Sequence, residues 1–267
     1  DLLDDLTTLE QASNLGSLIC PNTTKSKLES MLTNVKAKAN TSDAFLRYTI
    51  EQLIQGIKQL VLLANKYHCV VDNPPYMGSG NMNNDLADYV NTNYPESKGD
   101  LMTCFMEAGF KMLLPNAYIS MVNMHSWMFL SSYEKLRRFI LNNLQFETIL
   151  HLGMEAFDGI IGKVVQTAAW VLKNSTPVNR QYTAIRLVDY YDKRRWEKKN
   201  HFYDDKHRYI SDQNDLLKIP GKLICYWLPK SIINTFKNQP LSKFANPRIG
   251  LVTGDSQRFL RFWHEVE

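Results

Sequence analysis

The amino-acid sequence predicts an α/β fold, and more specifically the second half of an open sheet. Three observations lead to this prediction: a long amphipathic helix, a short apolar strand directly after it, and further alternation of helical and strand-like segments to about residue 173. Helix-then-strand order is typical of a sheet covered by helices. A chain of 267 residues is long enough for one large core or two smaller ones.

The clearest helix is predicted over residues 43–66. Its apolar side chains recur at spacings of three and four, which places them on one face: Ile50, Leu53, Ile54, Ile57, Leu60, Val61 and Ala64. The apolar run 67–71 that follows has strand character, and the polar and proline residues after it end the strand. Residues 1–40 are polar, and we expect them to be helical in parts, with a turn at Pro21-Asn22.

Helices and strands continue to alternate after this first strand. The predicted elements are helices over 86–93, 100–114 and 131–143, and strands over 117–122, 147–152 and 164–172. Pro115 is expected to end the second of these helices. The alternating pattern of the last strand suits an antiparallel neighbour or a sheet edge.

The helix over 131–143 has a predicted inner and outer face. We expect its apolar side chains Leu136, Phe139 and Ile140 to point inward, and its basic side chains Lys135, Arg137 and Arg138 to point outward.

Composition and charge narrow the class of protein. The net charge of +4 mildly favours a polyanionic partner, and no run approaches the roughly 18–20 apolar residues of a membrane helix. Cys20, Cys69, Cys104 and Cys225 are far apart and form no Cys-x-x-Cys pair, which argues against a zinc knuckle and indicates reduced, mostly buried thiols in a cytoplasmic protein. The histidines lack an obvious metal-ligand spacing, so the sequence predicts no metal site.

The segment Asn73-Pro74-Pro75-Tyr76 carries the most specific chemistry. Pro74 restricts Asn73 to an extended conformation, so the Asn73 carboxamide projects from the end of the strand. Because both prolines lack an N–H, Asn73 Oδ1 and the Pro74 carbonyl oxygen offer two acceptors without competing donors. Two converging acceptors suit one planar NH₂ group, and Tyr76 adds a flat aromatic face. The segment therefore predicts a pocket for an exocyclic amino group on a planar ring.

Asp72-Asn73-Pro74-Pro75-Tyr76 resembles the catalytic motif of S-adenosylmethionine-dependent amino-group methyltransferases, above all the adenine-specific DNA enzymes. Nearly the whole chain resembles, more narrowly, the large PglX-type methyltransferases of BREX phage-defence systems. Four stretches in order carry this resemblance: 73–100, 153–159, Ile219-Pro220-Gly221 with Tyr226-Trp227, and 250–263.

The resemblance implies the C-terminal half of a Rossmann-like S-adenosylmethionine-dependent methyltransferase core over residues 1–174, followed by the start of a DNA target-recognition region over 175–267. It implies methyl transfer to the exocyclic amino group of an adenine flipped out of double-stranded DNA, in phage defence or restriction-modification, with other phage-defence proteins as further partners. The catalytic residues are then Asn73, Pro74, Pro75 and Tyr76, and Tyr76 and Phe157 stack on the target base.

The cofactor half of such a site is expected upstream. In the family, a glycine-rich cofactor loop precedes the catalytic tetrapeptide, and nothing before residue 67 resembles it. Residues 14–19 resemble the segment that borders the cofactor's adenine, so Ser17 and Leu18, with Asn73, are the cofactor-binding candidates. The loop Gly78-Ser79-Gly80 is expected to give mobility near the target base. A first residue other than Met and an abrupt end lead us to expect a piece of a longer polypeptide.

Two basic and aromatic clusters, over 190–209 and 258–263, are candidates for contact with DNA phosphates. The candidate residues are Lys193, Arg194, Arg195, Lys198, Lys199, Arg258 and Arg261. A solvated surface is the other interpretation of the first cluster, and Trp196 and Trp263 are candidate core residues. Glu96 and Asp100 receive no role, because direct methyl transfer from a sulfonium needs no acid pair.

Three alternatives stay open at this point. The same tetrapeptide serves protein-glutamine methyltransferases, although the basic and aromatic C-terminal extension argues against one. The second alternative is the modification part of a methyltransferase-restriction fusion. The third is a non-catalytic DNA-binding module that keeps the fold without the cofactor half.

The chain by itself is expected to be catalytically inactive, because most of the cofactor site is expected outside it. An assay of labelled-methyl transfer from S-adenosylmethionine to duplex DNA checks this expectation, and turnover by the chain alone would contradict it.

Overall fold

The computed structural model describes residues 2–39, 44–157, 165–177 and 180–246, together with Gly254, Arg258 and Leu260. The chain divides into two compact units between Leu228 and Pro229. The first unit contains a mixed six-stranded sheet with helices, which confirms the predicted α/β class.

The helices and strands follow the predicted order as far as Lys173, and the elements after it were not predicted. The helices are α1 (Leu2–Glu10), α2 (Ala12–Leu15), α3 (Lys25–Ala39), α4 (Ala44–Leu63), α5 (Asn84–Asn93), α6 (Leu101–Lys111), α7 (Glu134–Asn143), α8 (Lys198–His201), α9 (Gln213–Leu216) and α10 (Lys230–Thr235). The strands are β1 (Tyr67–Asp72), β2 (Leu113–Met124), β3 (Gln145–Met154), β4 (Gln166–Lys173), β5 (Gln181–Arg186) and β6 (Arg208–Asp212).

The sheet has the strand order β1-β2-β4-β3-β5-β6. β1 and β2 are parallel, with Asp72 opposite Met121. β4 lies between β2 and β3 and is antiparallel to both, so the predicted antiparallel neighbour is confirmed and this strand is not an edge. β3 and β5 are parallel, and β6 closes the order antiparallel to β5.

Side chains alternate between a buried and a more open face of the sheet, as the period of two requires. The buried face carries the core residues Ile119, Met121, Ile149, Trp170 and Ala184. Asn123 lies on this face too, and its Oδ1 accepts hydrogen bonds of 3.1 Å from the indole N–H groups of both Trp127 and Trp170. A single buried carboxamide therefore satisfies two buried indole donors.

The end of α6 differs from the prediction. The helix ends at Lys111, and Pro115 lies in β2 rather than at the helix terminus. The reason is that the Met112 carbonyl accepts from the Tyr67 N–H, which starts the pairing of β2 with β1. Pro115 is exposed and lies where the β1–β2 register is interrupted, a position at which a missing N–H costs no ladder hydrogen bond.

The predicted faces of α7 are right for Leu136 and Ile140, which are buried, and wrong for Arg137 and Phe139. Phe139 is 46% exposed, whereas the Arg137 side chain is fully buried. Arg137 faces the turn at residues 220–222, and its guanidinium donates to the carbonyl oxygens of Trp127 (2.8 Å), Leu130 (2.7 Å) and Gly221 (2.6 and 3.0 Å). Burial lowers the pKa of Arg137 from its ordinary value.

Residues beyond 175 continue the sheet of the first unit through β5 and β6. The buried Gln213 side chain joins this part to the earlier elements, since it donates to the carbonyls of Leu141 and Leu144 and accepts from the Phe146 N–H. The predicted division between residues 174 and 175 concerns function and stays a prediction.

The thiols are less buried than the sequence predicts. Cys104 is buried, Cys20 and Cys225 are half-buried, and Cys69 is exposed because β1 is the first strand of the sheet. Within the described ranges, every helix is too short or too polar to cross a membrane.

Replacement of Arg137 by Met is expected to lower the free energy of unfolding by at least about 3 kcal/mol, because buried carbonyls would lose a charged donor while the apolar stem is kept. Urea unfolding of the chain measures this. The matched control is Arg138→Met, which removes an exposed guanidinium that pairs with Glu134 on the preceding turn and should cost less than about 1 kcal/mol. Equal losses in the two variants would contradict the assigned role of Arg137.

Candidate active site

The tetrapeptide 73–76 leaves the sheet at the carboxyl end of β1, where the sequence predicts it. Asn73 is exposed, Pro74 is buried, Pro75 is exposed and Tyr76 is half-buried. The buried Pro74 anchors the corner, so the Asn73 carboxamide is accessible on a backbone with restricted freedom.

Tyr76 is held against the neighbouring strand. Its hydroxyl donates to the Val122 carbonyl of β2 at 3.2 Å and lies 3.5 Å from Asn73 Oδ1. Burial, followed by the nearby Asp100 carboxylate, raises the pKa of Tyr76 above its ordinary value, so the hydroxyl keeps its proton. The ring orientation is therefore fixed by β2, and Asn73 Oδ1 keeps acceptor capacity for an incoming N–H.

Asp100 connects this corner to α6. One of its carboxylate oxygens accepts from the Met77 N–H at 3.2 Å and from the Met102 N–H at 3.0 Å. The second bond is the N-cap of α6, and it is the sequence signal that identifies Asp100: an Asp directly before an apolar helical run. Burial raises the pKa of Asp100 from its ordinary value, although both backbone donors oppose that rise. Asp100 is thus a positioning residue that sequence reasoning left without a role.

The glycine loop after the tetrapeptide is bonded to the same helix start. Ser79 N–H donates to the Gly99 carbonyl and Leu101 N–H donates to the Met77 carbonyl, both at 3.0 Å. Gly78 also forms a bridge with Asp100. The loop, for which the sequence predicts mobility, is therefore tied to α6 over residues 77–79.

The two cofactor candidates before α3 differ in exposure. Ser17 is exposed, whereas the Leu18 side chain is buried in a cluster with Leu15 and Ile19. The Leu18 carbonyl accepts from the hydroxyls of Tyr89 (3.2 Å) and Tyr94 (2.6 Å). The Leu18 side chain is thus packed in the core and its carbonyl is hydrogen-bonded. The cofactor roles of Ser17 and Leu18 stay predictions.

A pair of histidines lies in the first unit next to the carboxyl end of β2. His125 Nδ1 is 2.7 Å from His151 Nε2, and His151 Nδ1 is 3.0 Å from the Tyr226 hydroxyl. Burial lowers the pKa of His151 to about 3 and also lowers that of His125. Both rings are therefore neutral near pH 7, and all three groups are satisfied when Tyr226 donates to His151 and His151 donates to His125.

The loop that carries Phe157 follows β3 and is held by unusual backbone and side-chain contacts. Gly153 has φ +70°, and a Cβ there would lie 2.7 Å from the Val188 Cα atom, so glycine is required. Glu155 has a positive φ of 56°, and its carboxylate accepts from the Asp192 N–H. The Lys198 ammonium donates to the Met154 carbonyl. The loop is thus fixed to the basic and aromatic segment 190–209.

Phe157 itself is half-buried, and residues 158–164 lie outside the described residues. Pairing across the sheet aligns Asp72 with Met121, then with Trp170 and Ile149. β1 and β3 therefore run in the same direction, three strand spacings or about 14 Å apart across the sheet, and β3 continues five residues beyond Ile149 to Met154. Stacking of Tyr76 and Phe157 on one base stays a prediction.

The predicted DNA-contact residues occupy different environments. Lys193, Arg194 and Lys199 are exposed, and Lys198 is buried beneath the loop after β3. Arg194 forms a fork with Glu197, at 2.9 Å from Nη2 and 3.1 Å from Nε. Because Lys198 is engaged inside the chain, the exposed charge of the segment is smaller than its sequence indicates.

Trp196 is 67% exposed, so the prediction that it is a core residue is wrong. Its ring lies 4.2 Å from the guanidinium carbon of Arg195, which covers one face. In the second unit Arg258 is exposed, whereas Arg261 and Trp263 lie outside the described residues.

Comparison with known proteins gives a family and two curated relatives. A family model described as Eco57I restriction-modification methylase matches residues 6–157. The adenine-specific methyltransferase BrxX of Escherichia coli O9:H4 (strain HS) is 40% identical over 268 residues, which cover 99% of this chain and 22% of that protein. The adenine-specific methyltransferase PglX of Lacticaseibacillus casei (strain Zhang) is 36% identical over 213 residues, which cover 77% of this chain and 18% of that protein.

Among solved structures, the methyltransferase subunit of a type I restriction-modification system from Streptococcus thermophilus is similar over 60% of this chain and 37% of that one, with 17% identity and a TM-score of 0.43. The chain spans about a fifth of the length of the two curated relatives, BrxX and PglX. The names of these two relatives confirm the resemblance to adenine-specific methyltransferases that the sequence motifs predict.

The free energy of unfolding is expected to fall by about 2 kcal/mol when the pH is lowered from 7.5 to 5, because of His151 alone. Its pKa is about 3 in the fold and roughly 6.5 in an unfolded chain, so only the unfolded state gains a proton in this window. The contribution is complete above the unfolded pKa and is lost progressively as the pH falls toward the folded one. Urea unfolding at both pH values measures it.

The variant His151→Gln should lose about that much of the pH dependence. The control His68→Gln, at an exposed position on β1, should keep it. A wild-type chain that is equally stable at both pH values would show that His151 is not buried in its neutral form.

Proposed function

The chain belongs to the Eco57I restriction-modification methylase family, and from this premise we propose that it forms the target-base half of an adenine-specific DNA methyltransferase active site. The observation that carries the proposal is the corner at the end of β1. An exposed Asn73 carboxamide lies beside a buried Pro74 and a Tyr76 whose hydroxyl is fixed to β2.

In this function the corner holds the exocyclic amino group of an adenine that has left the duplex stack. Asn73 Oδ1 and the Pro74 carbonyl oxygen accept one N–H each, and the Tyr76 ring supports the base. Because both N–H bonds are held, the nitrogen is favoured in a more tetrahedral geometry with its lone pair free for attack. Positioning of this kind can supply roughly 7–11 kcal/mol of the barrier.

S-adenosylmethionine would supply an electrophilic methyl group at this edge of the sheet. Among the described residues, candidate polar contacts for such a ligand are the exposed Ser17 hydroxyl, the exposed Asn73 carboxamide and the half-buried Asp72 carboxylate. Burial raises the pKa of Asp72 from its ordinary value. These groups make up only part of a binding site, in agreement with the proposal that this chain provides mainly the base-binding side.

Double-stranded DNA is the proposed substrate, with phosphate contacts from the exposed members of the basic and aromatic segment. Lys193 and Lys199 are exposed there, and Arg195 forms a cation–π pair with Trp196 on the surface. Phosphate contacts of this type position a duplex without reading its sequence. The motif resemblance to BREX-type methyltransferases motivates the further proposal that the parent protein acts in phage defence together with other proteins.

The comparisons do not support the alternative of a protein-glutamine substrate, since both curated relatives are adenine-specific methyltransferases, although the amide NH₂ of a glutamine would also offer two N–H donors to the Asn73 corner. The surface around Trp196 favours DNA instead, since an exposed indole with a stacked guanidinium is a typical base and phosphate contact.

The decisive experiment measures labelled-methyl transfer from S-adenosylmethionine to duplex DNA by the full-length parent protein. Asn73→Ala is expected to lower the rate by at least about 100-fold, because one of the two acceptors for the amino group is lost. The matched control is Asn142→Ala, which removes an exposed carboxamide on α7 that bonds only one turn back.

Label that is found in adenine and lost in Asn73→Ala supports the proposal. Label in protein, with DNA unmodified, would support the glutamine substrate. An Asn73→Ala variant with the rate of the wild type would remove Asn73 from the reaction.

A further inference from the structure

The segment 190–209 brings together two histidines and an aspartate that the sequence analysis does not associate with a metal. The ligand atoms of His201, Asp204 and His207 all lie within 4.8 Å of one another, and each side chain is half-buried. His201 Nδ1 is 3.7 Å from Asp204 Oδ2, and His207 Nε2 is 4.0 Å from the same oxygen. We propose that these three side chains bind a zinc-class divalent transition-metal ion.

The Asp204 carboxylate is oriented for this role. Its Oδ1 accepts from the Lys206 N–H at 3.0 Å, which is part of the turn after α8. The other oxygen, Oδ2, is the one that faces both imidazoles. A side chain that uses one oxygen for the turn and presents the second to two nitrogen ligands matches a monodentate metal carboxylate.

His201 carries a second, independent feature of a metal ligand. Its Nδ1 faces Asp204, and its other ring nitrogen, Nε2, lies 3.5 Å from the Glu197 carboxylate. Metal-bound histidines typically donate their second N–H to a carboxylate, which fixes the tautomer and the ring orientation. Arg194 holds Glu197 in turn through a fork of two hydrogen bonds.

The spacing of the three ligand atoms is compatible with one bound ion. Bonds of about 2.0–2.2 Å to three ligands at tetrahedral angles hold the ligand atoms about 3.4 Å apart, so side-chain rotations are sufficient to close the present spacings. The Tyr190 hydroxyl is hydrogen-bonded to His207 Nε2 at 2.9 Å, and an ion bound to that nitrogen would take the place of this hydrogen bond. Two imidazoles select zinc, cobalt or nickel over magnesium and calcium, which prefer oxygen ligands.

Such an ion would join the end of α8 to the start of β6, across the turn of residues 202–207. The same short helix provides Lys198, which donates to the carbonyl of Met154 at the base of the Phe157 loop. Metal binding would therefore stabilise the support of that loop. The proposal depends only on these contacts and stands independently of the methyl-transfer reaction.

The test is zinc binding by the full chain, measured by competition with a chromophoric chelator, with cobalt as the spectroscopic probe. One zinc per chain is expected with micromolar or tighter affinity. His207→Gln and Asp204→Asn should each weaken binding by at least about 100-fold, and Glu197→Gln by about 10-fold. Cobalt should give visible ligand-field absorption without the near-ultraviolet charge-transfer band of a thiolate.

Two controls separate this site from adventitious binding. His68→Gln and Cys69→Ser remove an exposed imidazole and an exposed thiol on β1 and should leave zinc affinity unchanged. Circular dichroism of each variant verifies that it is folded. Absence of zinc binding at roughly 100 µM free metal, or unchanged affinity in a folded His201→Gln/His207→Gln double variant, would overturn the proposal.

Discussion

The buried guanidinium of Arg137 sets the arrangement of the elements around the sheet. A charged group without solvent is tolerated only when its donors are satisfied, and here the main-chain carbonyls of three residues, from two separate segments of the chain, accept them. Trp127 and Leu130 belong to the connection from β2 to α7, and Gly221 belongs to the turn that follows α9. Because the carbonyls must converge on one planar group, the position of α7 fixes the connection before it and the turn more than 80 residues later. The Ile219-Pro220-Gly221 stretch therefore has a structural role, because the Gly221 carbonyl accepts hydrogen bonds from the Arg137 guanidinium.

Polar side chains also connect neighbouring segments near the carboxyl ends of the strands β1 and β3. Asp100 caps α6 and holds Met77, Tyr76 is fixed to Val122, and Lys198 holds Met154. In each case a polar side chain forms a hydrogen bond with a backbone group of a neighbouring segment. Asn73 therefore lies on a corner whose surroundings are already hydrogen-bonded, so under the proposed function little ordering would remain for the binding of a target base. A rigid acceptor pair is what positional catalysis requires.

Local patterns predicted most of the elements, whereas contacts between distant residues account for the differences. The spacing of Ile57 and Leu60 is enough to identify α4, and the proline corner is enough to locate the end of β1, because both signals are contained within a few residues. Arg137 reads as an outward residue because its acceptor Gly221 lies far away in the sequence. From the sequence, Pro115 is predicted to end a helix. Its actual place in β2 is possible because the pairing of β2 with β1 is interrupted there, which the local sequence does not show. The candidate sites divide in the same way. Residues Asn73 to Tyr76 could be predicted from a local motif, and Asp100 could have been recognised from its position as the N-cap of α6. The group of His201, Asp204 and His207 becomes visible only in the folded turn that brings the three side chains together.

The basic and aromatic segment shows how far composition can mislead about function. Counted from the sequence, it is a run of positive charge suited to phosphates. In the fold, Lys198 is buried beneath Met154 and Arg194 is neutralised by Glu197. Tyr190 packs its ring on His201 at 4.2 Å and is part of the small core with Ile185 and Leu187. The segment is therefore first a support that fixes the Phe157 loop to the open face of the sheet, and only its outer residues, such as Lys193 and Lys199, are placed to contact a polyanion. Under the proposed function, the loop next to the target base and the surface that contacts the duplex would be parts of one hydrogen-bonded structure, because the same short helix α8 carries Lys198 inward and Lys199 outward.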